Sequence, residues 1–485
     1  KMKKLNFIIK CGLALLLLSF YSCESWLNVT PSDRLSEEML FNDREGFVKA
    51  LNGVYIELNT NELYGRNLTA GALDVMGQYY SVASSSHAFY NYGGLVYTGN
   101  DEKALFDNMW QKCYAVIACC NTIIEKCDEN KAGLSPVWRG AIKGEALALR
   151  AMLHFDMLRL FGPLTSELDK ESIPYQTNSD QTVTPLLSGS EVVGLILDDL
   201  KNAVGLLKDT DPYFVEEEFS DTDLNYRRFR MNYFAAKGLM ARVQLWGGDK
   251  EKAAATAKEV IAEGQAEGAE FFPFVTNSEA TSSNPDRVFY SEVLFGTYHS
   301  SREKLHEDLF APTLESTSIL TLAGTARRDD LYDNENDYRY SVWSTYNKNG
   351  TSVLYHRKFE KQDNVTASRQ YMIPLIRMSE MYLIAVECCK LDEASVYLNT
   401  FRNARNCNSL ALTEDNRINI LANEYKKEML GEGQLFFFYK RQEMVNIPDG
   451  NQATGTKNVE LAKYVVPLPE SETDQRISST DISNE

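Results

Sequence analysis

The chain is poor in the residues that carry most enzyme chemistry. It has 5 histidines in 485 residues: His87, His154, His299, His306 and His356. No two stand at the close spacing of a zinc-ligand pair, and H-E-x-x-H is missing. G-x-S-x-G, G-x-x-x-x-G-K-[ST] and G-x-G-x-x-G are missing too, which removes the serine-hydrolase elbow, the nucleotide P-loop and the dinucleotide fingerprint. No catalytic residue, metal site or cofactor is expected. Positive charge is also scarce. The 50 Lys and Arg face 68 Asp and Glu, giving a formal net charge of −18 and a pI near 4.9. A phosphate backbone needs clustered cations, so nucleic acid is excluded as a partner. Neighbouring carboxylates do occur (Asp198-Asp199, Asp329-Asp330), but so acidic a chain has many by chance. A glycosidase would need two carboxylates set face to face, and nothing in the sequence favours that.

Long apolar runs are confined to one place. Lys1, Lys3, Lys4 and Lys10 surround and precede an apolar stretch, Cys11 to Phe20, too short to span a bilayer comfortably. Ser22-Cys23 follows at once. The expectation is a lipoprotein signal over residues 1–22, cleavage before Cys23, lipid on Cys23, a tether over 23–35 and a single body over 36–485. With the signal and anchor cysteines set aside, seven remain, an odd number that cannot all pair. Cys113, Cys120 and Cys127 are seven apart on a predicted helix, roughly 10 Å per step, too far for adjacent thiolates to share one metal. They read as small buried residues.

The stretch around which the rest is organised is Ser135 to Pro163, S-P-V-W-R-G-A-I-K-G-E-A-L-A-L-R-A-M-L-H-F-D-M-L-R-L-F-G-P. Ser135 can cap the helix, Pro136 suits its first position, and Gly162-Pro163 ends it. Leu149, Leu153, Met157 and Leu160 form one apolar stripe. Leu147, Ala151, Phe155 and Leu158 form a second. A helix apolar on two sides is packed on two sides, so this is a central strut roughly 40 Å long. His154, within it, reads as a core residue.

Helices are also expected at 36–58, 103–128 and 188–207. Met231 to Gly264 reads as helix, Gly-Gly-Asp turn, helix, with Ala235, Ala236, Gly238 and Ala241 allowing close approach. Leu375 to Arg405 repeats that plan, and 103–128 with the strut can form another pair. The expected class is mainly α: tetratricopeptide-like helical hairpins in an α-α superhelical scaffold, with long irregular insertions and a few short strands. Val288–Tyr290 and Val293–Phe295 are the strand candidates. Gly431-Glu432-Gly433 reads as a helix cap and turn rather than a phosphate loop.

Two insertions, 74–100 and 271–374, are rich in aromatic and polar residues. The first holds Tyr79, Tyr80, Tyr90 and Tyr92. The second holds Tyr332, Tyr338, Tyr340, Trp343 and Tyr346. Rings of this kind can stack on the apolar faces of sugars while Asn, Ser, Asp and Arg bind hydroxyls; they can equally fill a core. Trp110, Trp138 and Trp246 fall on predicted helices and read as core. Trp343 does not, and with Tyr338, Tyr340, Tyr346, Tyr79, Tyr80, Tyr90 and Tyr92 it forms the candidate ligand-binding set.

Taken in order, several segments resemble one family. The chain is similar to the SusD/RagB family of outer-membrane nutrient-binding lipoproteins of Bacteroidota. Cys23, Trp26, Leu27 and Pro31 resemble its C-x-x-[FW]-L-x-x-x-P opening, and Leu51-Asn52-Gly53-Val54-Tyr55 lies on the helix that follows. Glu145, Ala146, Arg150, Ala151, Phe155, Arg159, Phe161 and Gly162 resemble its long strut signature, with Met157 in a Leu position. Ala235 to Leu245 and Ile376-Arg377-x-Ser379-Glu380-x-Tyr382-Leu383, then Leu398-Asn399-x-x-Arg402, resemble its hairpins. Glu424, Glu428, Glu432-Gly433 and Pro467-Leu468-Pro469-x-x-Glu472 resemble its C-terminal motifs. One departure stands out: Leu435 occupies a usual Arg position and Phe438 a usual Asp position. The resemblance implies a non-catalytic lipoprotein that captures oligosaccharide at the cell surface. It also implies a partner, a SusC-like TonB-dependent outer-membrane barrel. The ligand surface would come from the insertions. Peptide cargo, or a helical-repeat protein scaffold, are the alternatives.

Overall fold

The computed structural model describes residues 37–474 and 476, apart from 181, 269 and 333. The expected signal segment, the lipidation site at Cys23, the tether over 23–35 and the first residue of the expected body, 36, lie outside the described residues. Ten helices organise the rest: α1 (Arg44–Leu58), α2 (Asn100–Glu129), α3 (Pro136–Phe161), α4 (Gly189–Thr210), α5 (Tyr233–Trp246), α6 (Lys250–Gly264), α7 (Met378–Cys388), α8 (Leu391–Ala404), α9 (Arg417–Glu428) and α10 (Gln434–Arg441).

The strut is α3. Ser135 Oγ accepts from the Trp138 N–H at 3.3 Å, and every residue from Gly144 to Phe161 is buried. It is therefore buried all round, as two stripes require, with Glu145, Arg150, Asp156 and Arg159 buried among the apolar residues. It packs between α2 and α4. The approach of α4 depends on missing side chains: a Cβ at Gly140 would lie 2.6 Å from Thr210 Cγ2, and one at Gly144 2.8 Å from Leu207 Cγ. The α4 helix starts with a capping box, Ser188 and Glu191 each bonding the other's backbone. His154 is fully buried and stacked 4.0 Å from Tyr175. Burial pushes its imidazole down to about 3, so it is neutral and structural. Cys113, Cys120 and Cys127 are buried and free. Trp110 and Trp246 are buried; Trp138 is half-buried, with its ring between Phe219 and the guanidinium of Arg44.

The remaining helices pack in chain order. The α5–α6 hairpin turns at Gly247-Gly248, where Gly248 has φ +84°, and Asp249 accepts from the Lys252 N–H to cap α6. α5 lies on α4, α6 on α7, and α7 on α8 and α9. The molecule is mainly helical, built from stacked tetratricopeptide-like hairpins.

Among the described residues, eight short strands form four antiparallel pairs. These are β1 (Glu171–Pro174) with β2 (Leu186–Ser188), β3 (Val293–Tyr298) with β6 (Met372–Arg377), β4 (Trp343–Lys348) with β5 (Thr351–His356), and β7 (Asn446–Pro448) with β8 (Thr456–Asn458). Two expectations are corrected here. Leu375 to Arg377 do not begin the helix: they finish β6, with Pro374 opposite Gly296 of β3, and α7 starts at Met378. A short apolar run is ambiguous between strand and helix, and Pro374 disfavours the latter. Val288–Tyr290 is not a strand, because Phe289 adopts a left-handed φ of +52° that breaks extension. The departure at Leu435 and Phe438 is absorbed by packing. Both are buried, and Phe438 stacks on Tyr425 with centroids 4.5 Å apart.

The E-x-x-x-E-x-x-x-E motif has a structural task. Glu424, Glu428 and Glu432 follow one another at helical spacing and are all buried. Glu424 accepts from Arg339 at 2.8 Å and Lys427 at 3.0 Å, and also from Arg402. Glu428 accepts from Arg405 at 2.7 Å, and also from Arg377. Glu432 accepts from Lys358 at 2.6 Å and Arg377 at 3.0 Å. Arg405 also binds Glu292 at 2.6 Å. Arg339 and Lys358 belong to the long insertion, while Arg377, Arg402 and Arg405 belong to the hairpin that follows. The glutamates thus fasten the insertion to the scaffold through charges that water cannot screen.

Candidate functional site

The two aromatic insertions meet. The Ser81 N–H donates to Thr321 O at 2.8 Å, and the Ala88 N–H donates to Thr317 O at 3.2 Å. His87 Nε2 lies 3.3 Å from Ile319 O. The β4–β5 hairpin rests on the same segment: Lys348 Nζ donates to Leu314 O at 3.0 Å, and Thr321 Oγ1 donates to Leu354 O at 2.6 Å. The β7–β8 loop closes the set, since Asn451 Oδ1 accepts from the Val82 N–H at 2.7 Å. Residues 78–90, 313–331, 343–356 and 449–456 therefore make one surface.

The candidate rings fare differently on it. Trp343 is corrected: it is 5% exposed, donates its indole N–H to the Tyr332 hydroxyl at 3.2 Å and packs on His356, its cross-strand neighbour. The first residue of β4 faces inward, so no face of the indole is open to a ligand. Tyr79, Tyr80 and Tyr92 are likewise buried. Tyr80 donates to Asp74 at 3.2 Å and Tyr79 to Tyr425 O at 3.3 Å; Tyr92 packs on Phe89 and Phe106. These four rings belong to the core. Tyr338 and Tyr340 are half-buried. The Tyr340 ring lies under Arg328 at 4.6 Å, and the Tyr338 hydroxyl accepts from Asn277 at 2.9 Å. Tyr90 and Tyr346 are open, each 44% exposed.

A cavity of about 200 Å³ opens where these segments adjoin α9 and α10. Gln78 and Tyr79 form one side, Leu322, Arg327, Asp330 and Leu331 another, and Lys426, Leu435 and Thr456 line the rest. Gln78 is held with φ +63°, its amide donating to Gly93 O at 3.0 Å. Arg327 comes from the short helix Thr325–Leu331 and Lys426 from α9. Among the described residues neither cation has a hydrogen-bond or ion-pair partner. Burial, with the charge of Arg327, pushes the Lys426 ammonium down to about 8, against the pull of Asp330. Two roomier hollows lie between α2 and residues 466–476, and neither is lined by any residue of the 271–374 insertion. Among the described residues no group of three or more His, Cys, Asp or Glu side chains is placed to hold a metal ion.

Arg327, Lys426, Gln78 and Thr456 were missed in the sequence. T-A-R-R-D-D reads as a solvated helix, and Lys426-Lys427 gives no sign that one lysine pairs with Glu424 while its neighbour turns to a cavity.

Fold and surface together define a class: a scaffold of helical hairpins that presents a composite loop surface carrying exposed tyrosines. Comparison with known proteins gives the family to which this scaffold belongs. Residues 25–245 match a family described as "Starch-binding associating with outer membrane", and residues 284–477 match the SusD family. The chain is 23% identical to a SusD-like protein, P2, of Formosa agariphila over 97% of this chain and 96% of the relative. Its fold is similar to a SusD-like carbohydrate binding protein from Bacteroides vulgatus, with a TM-score of 0.68 and 20% identity over 89% of this chain and 96% of that one. Surface glycan-binding protein A from Bacteroides thetaiotaomicron gives a TM-score of 0.66 at 15% identity, over 91% and 98% of the two chains. The chain belongs to the SusD/RagB family.

Proposed function

We propose that this protein is a non-catalytic carbohydrate-binding lipoprotein of the outer membrane. In this reading it is anchored through lipid on Cys23, captures oligosaccharide at the cell surface and delivers it to a SusC-like TonB-dependent barrel. The observation that carries the reading is the lacing of both aromatic insertions into one surface, with Tyr346 and Tyr90 open and Tyr340 half-open beside polar side chains. Exposed rings offer flat apolar faces to sugars, and neighbouring amides, hydroxyls and guanidinium groups can bind their hydroxyls. Family membership supports it, as do the glycan-binding relatives named above.

The test is a binding screen of the purified protein by affinity electrophoresis and calorimetry against host and plant polysaccharides, with acidic and basic peptides alongside. Retardation by at least one polysaccharide, weakened by Tyr346→Ala, is the expected result. Binding to peptides and to no polysaccharide would overturn it.

A further inference from the structure

Among the described residues, the buried arginines other than Arg327 all donate a hydrogen bond. Arg150 reaches Asp199 at 2.7 Å, Arg242 reaches Glu380 at 2.6 Å, and Arg302, with no carboxylate beside it, still donates to Met372 O at 2.9 Å. Arg327 is 8% exposed and donates to none of the described residues. Its guanidinium nitrogens are not among the buried unpaired atoms of the described residues, so they reach the open space of the hollow and not a protein partner. Lys426 repeats the anomaly on the opposite element. Its ammonium is half-buried, lacks an acid within ion-pair distance among the described residues, and shares the same cavity. Asp330, at the exposed edge, is the one acid among the described residues that line that cavity. Two cations against one acid leave the hollow with a local positive charge on a protein whose overall charge is −18.

The remaining lining is not that of a simple ion site. Tyr79, Leu322, Leu331 and Leu435 supply apolar wall, and Gln78 and Thr456 supply hydrogen-bonding groups. The volume of about 200 Å³ is several times the ~30 Å³ share of a single water, so it suits one ring with its substituent rather than a bare anion. An arginine fork matches the planar oxygens of a carboxylate or two oxygens of a sulfate, and a lysine adds a point charge.

We infer that the Arg327–Lys426 cavity takes the anionic substituent, a carboxylate or a sulfate ester, of an acidic sugar residue. This rests on the carbohydrate-binding reading above and narrows it to acidic glycans. The chain of the glycan would continue from the cavity across the composite surface that carries the open tyrosines.

The experiment uses matched pairs. One arm compares polygalacturonate with its carboxyl-reduced form; the other compares a sulfated galactan with its desulfated form. Calorimetry on the purified protein, on Arg327→Gln and on Lys426→Gln reads affinity, and thermal melts check folding. The acidic member of one pair should bind roughly tenfold or more tightly than its neutral partner, as one or two charge-assisted bonds would give. The arm that shows this tells carboxylate from sulfate. Arg327→Gln should erase that preference without moving the melting temperature by more than a few degrees, and Lys426→Gln should reduce it. If Arg327→Gln does not fold, Lys426→Gln decides alone. Equal binding of charged and neutral partners, or a preference untouched by the variants, would overturn the inference while leaving the carbohydrate reading standing. Failure of every glycan to bind would overturn both. Free sodium sulfate as competitor completes the set: competition at millimolar levels against the sulfated galactan supports the site, whereas loss of acidic binding only in proportion to ionic strength, with sodium chloride equally effective, would mean diffuse charge and overturn it.

Discussion

Asp74 and Gly433 stand 359 residues apart in the chain, and the Gly433 N–H donates to Asp74 Oδ1 at 2.9 Å. The Gly431 N–H donates to Oδ2 at 2.6 Å. Both glycines are left-handed, with φ +79° and +69°, and a Cβ at Gly433 would lie 2.3 Å from Leu68 O. Two N–H groups of one turn converging on one carboxyl group make a small anion cradle. Here the chain's own carboxylate fills it, and the cradle ties the first aromatic insertion to the turn between α9 and α10.

That carboxylate should make stability depend on pH. Burial raises the Asp74 acid to about 7 from an ordinary 3.8, against the two N–H bonds, Lys358 and Tyr80. The folded chain therefore holds a proton that the unfolded chain has lost. The associated stability is complete below about pH 3.8 and falls as pH rises through about 7. Asp74→Asn cannot titrate. The melting temperature of Asp74→Asn relative to wild type should climb between pH 4 and pH 8. A difference that stays flat over that range would refute the assignment.

Glu428 should behave in the opposite sense. Burial opposes its charge, but Arg405, Arg377 and Arg339 outweigh burial and hold the carboxyl well below its usual range. Its stabilisation is present above the ordinary value of 4.5 and is lost only as pH falls through the depressed folded one. Glu428→Gln removes the one carboxylate that Arg405, Arg377 and Arg339 share, leaving them Glu292, Glu432 and Glu424 respectively. It should cost about 3–5 kcal/mol, the range for breaking a buried pair, measured by urea denaturation at pH 7. A loss under ~1 kcal/mol would mean that the insertion is held some other way.

Trp343 and Tyr346 sit three residues apart and should separate stability from binding. Trp343→Ala empties a core position and should cost about 3–5 kcal/mol. Tyr346→Ala, on an exposed position, should shift stability by less than ~0.5 kcal/mol and weaken glycan binding by roughly three- to tenfold, the scale of one stacking contact. Denaturation and calorimetry on the same two variants check both halves. A stable Trp343→Ala that binds weakly would restore the indole to the ligand surface.

The scaffold was legible because its signals are local. Ser135, Pro136 and Gly162 bound the strut in the sequence as in the structure, and the double apolar stripe of Leu149 to Leu160 announces burial on all sides. The strand at Leu375–Arg377 was not legible, because its ladder partner, Val293–Tyr298, lies about eighty residues earlier and an isolated apolar run suits either period. The glutamates at 424, 428 and 432 were visible as a motif, but their arginines come from three separate segments, at 339, 377 and 402–405.

The same divide runs through the candidate surface. Composition marked 74–100 and 271–374 as the places where aromatic side chains gather among polar ones, and those insertions do form one surface. Whether a given ring is core or contact is set by strand parity and by packing from distant segments. That is why Trp343 faces His356 while Tyr346, on the same strand, faces solvent. The hollow between Arg327 and Lys426 belongs wholly to tertiary structure. Each residue reads as an ordinary surface cation along the chain, and only the folding of a loop against a helix about a hundred residues away removes their counter-anions and sets the two side by side. Helix periodicity and capping are short-range and can be read in order; exposure and electrostatic pairing are long-range and cannot.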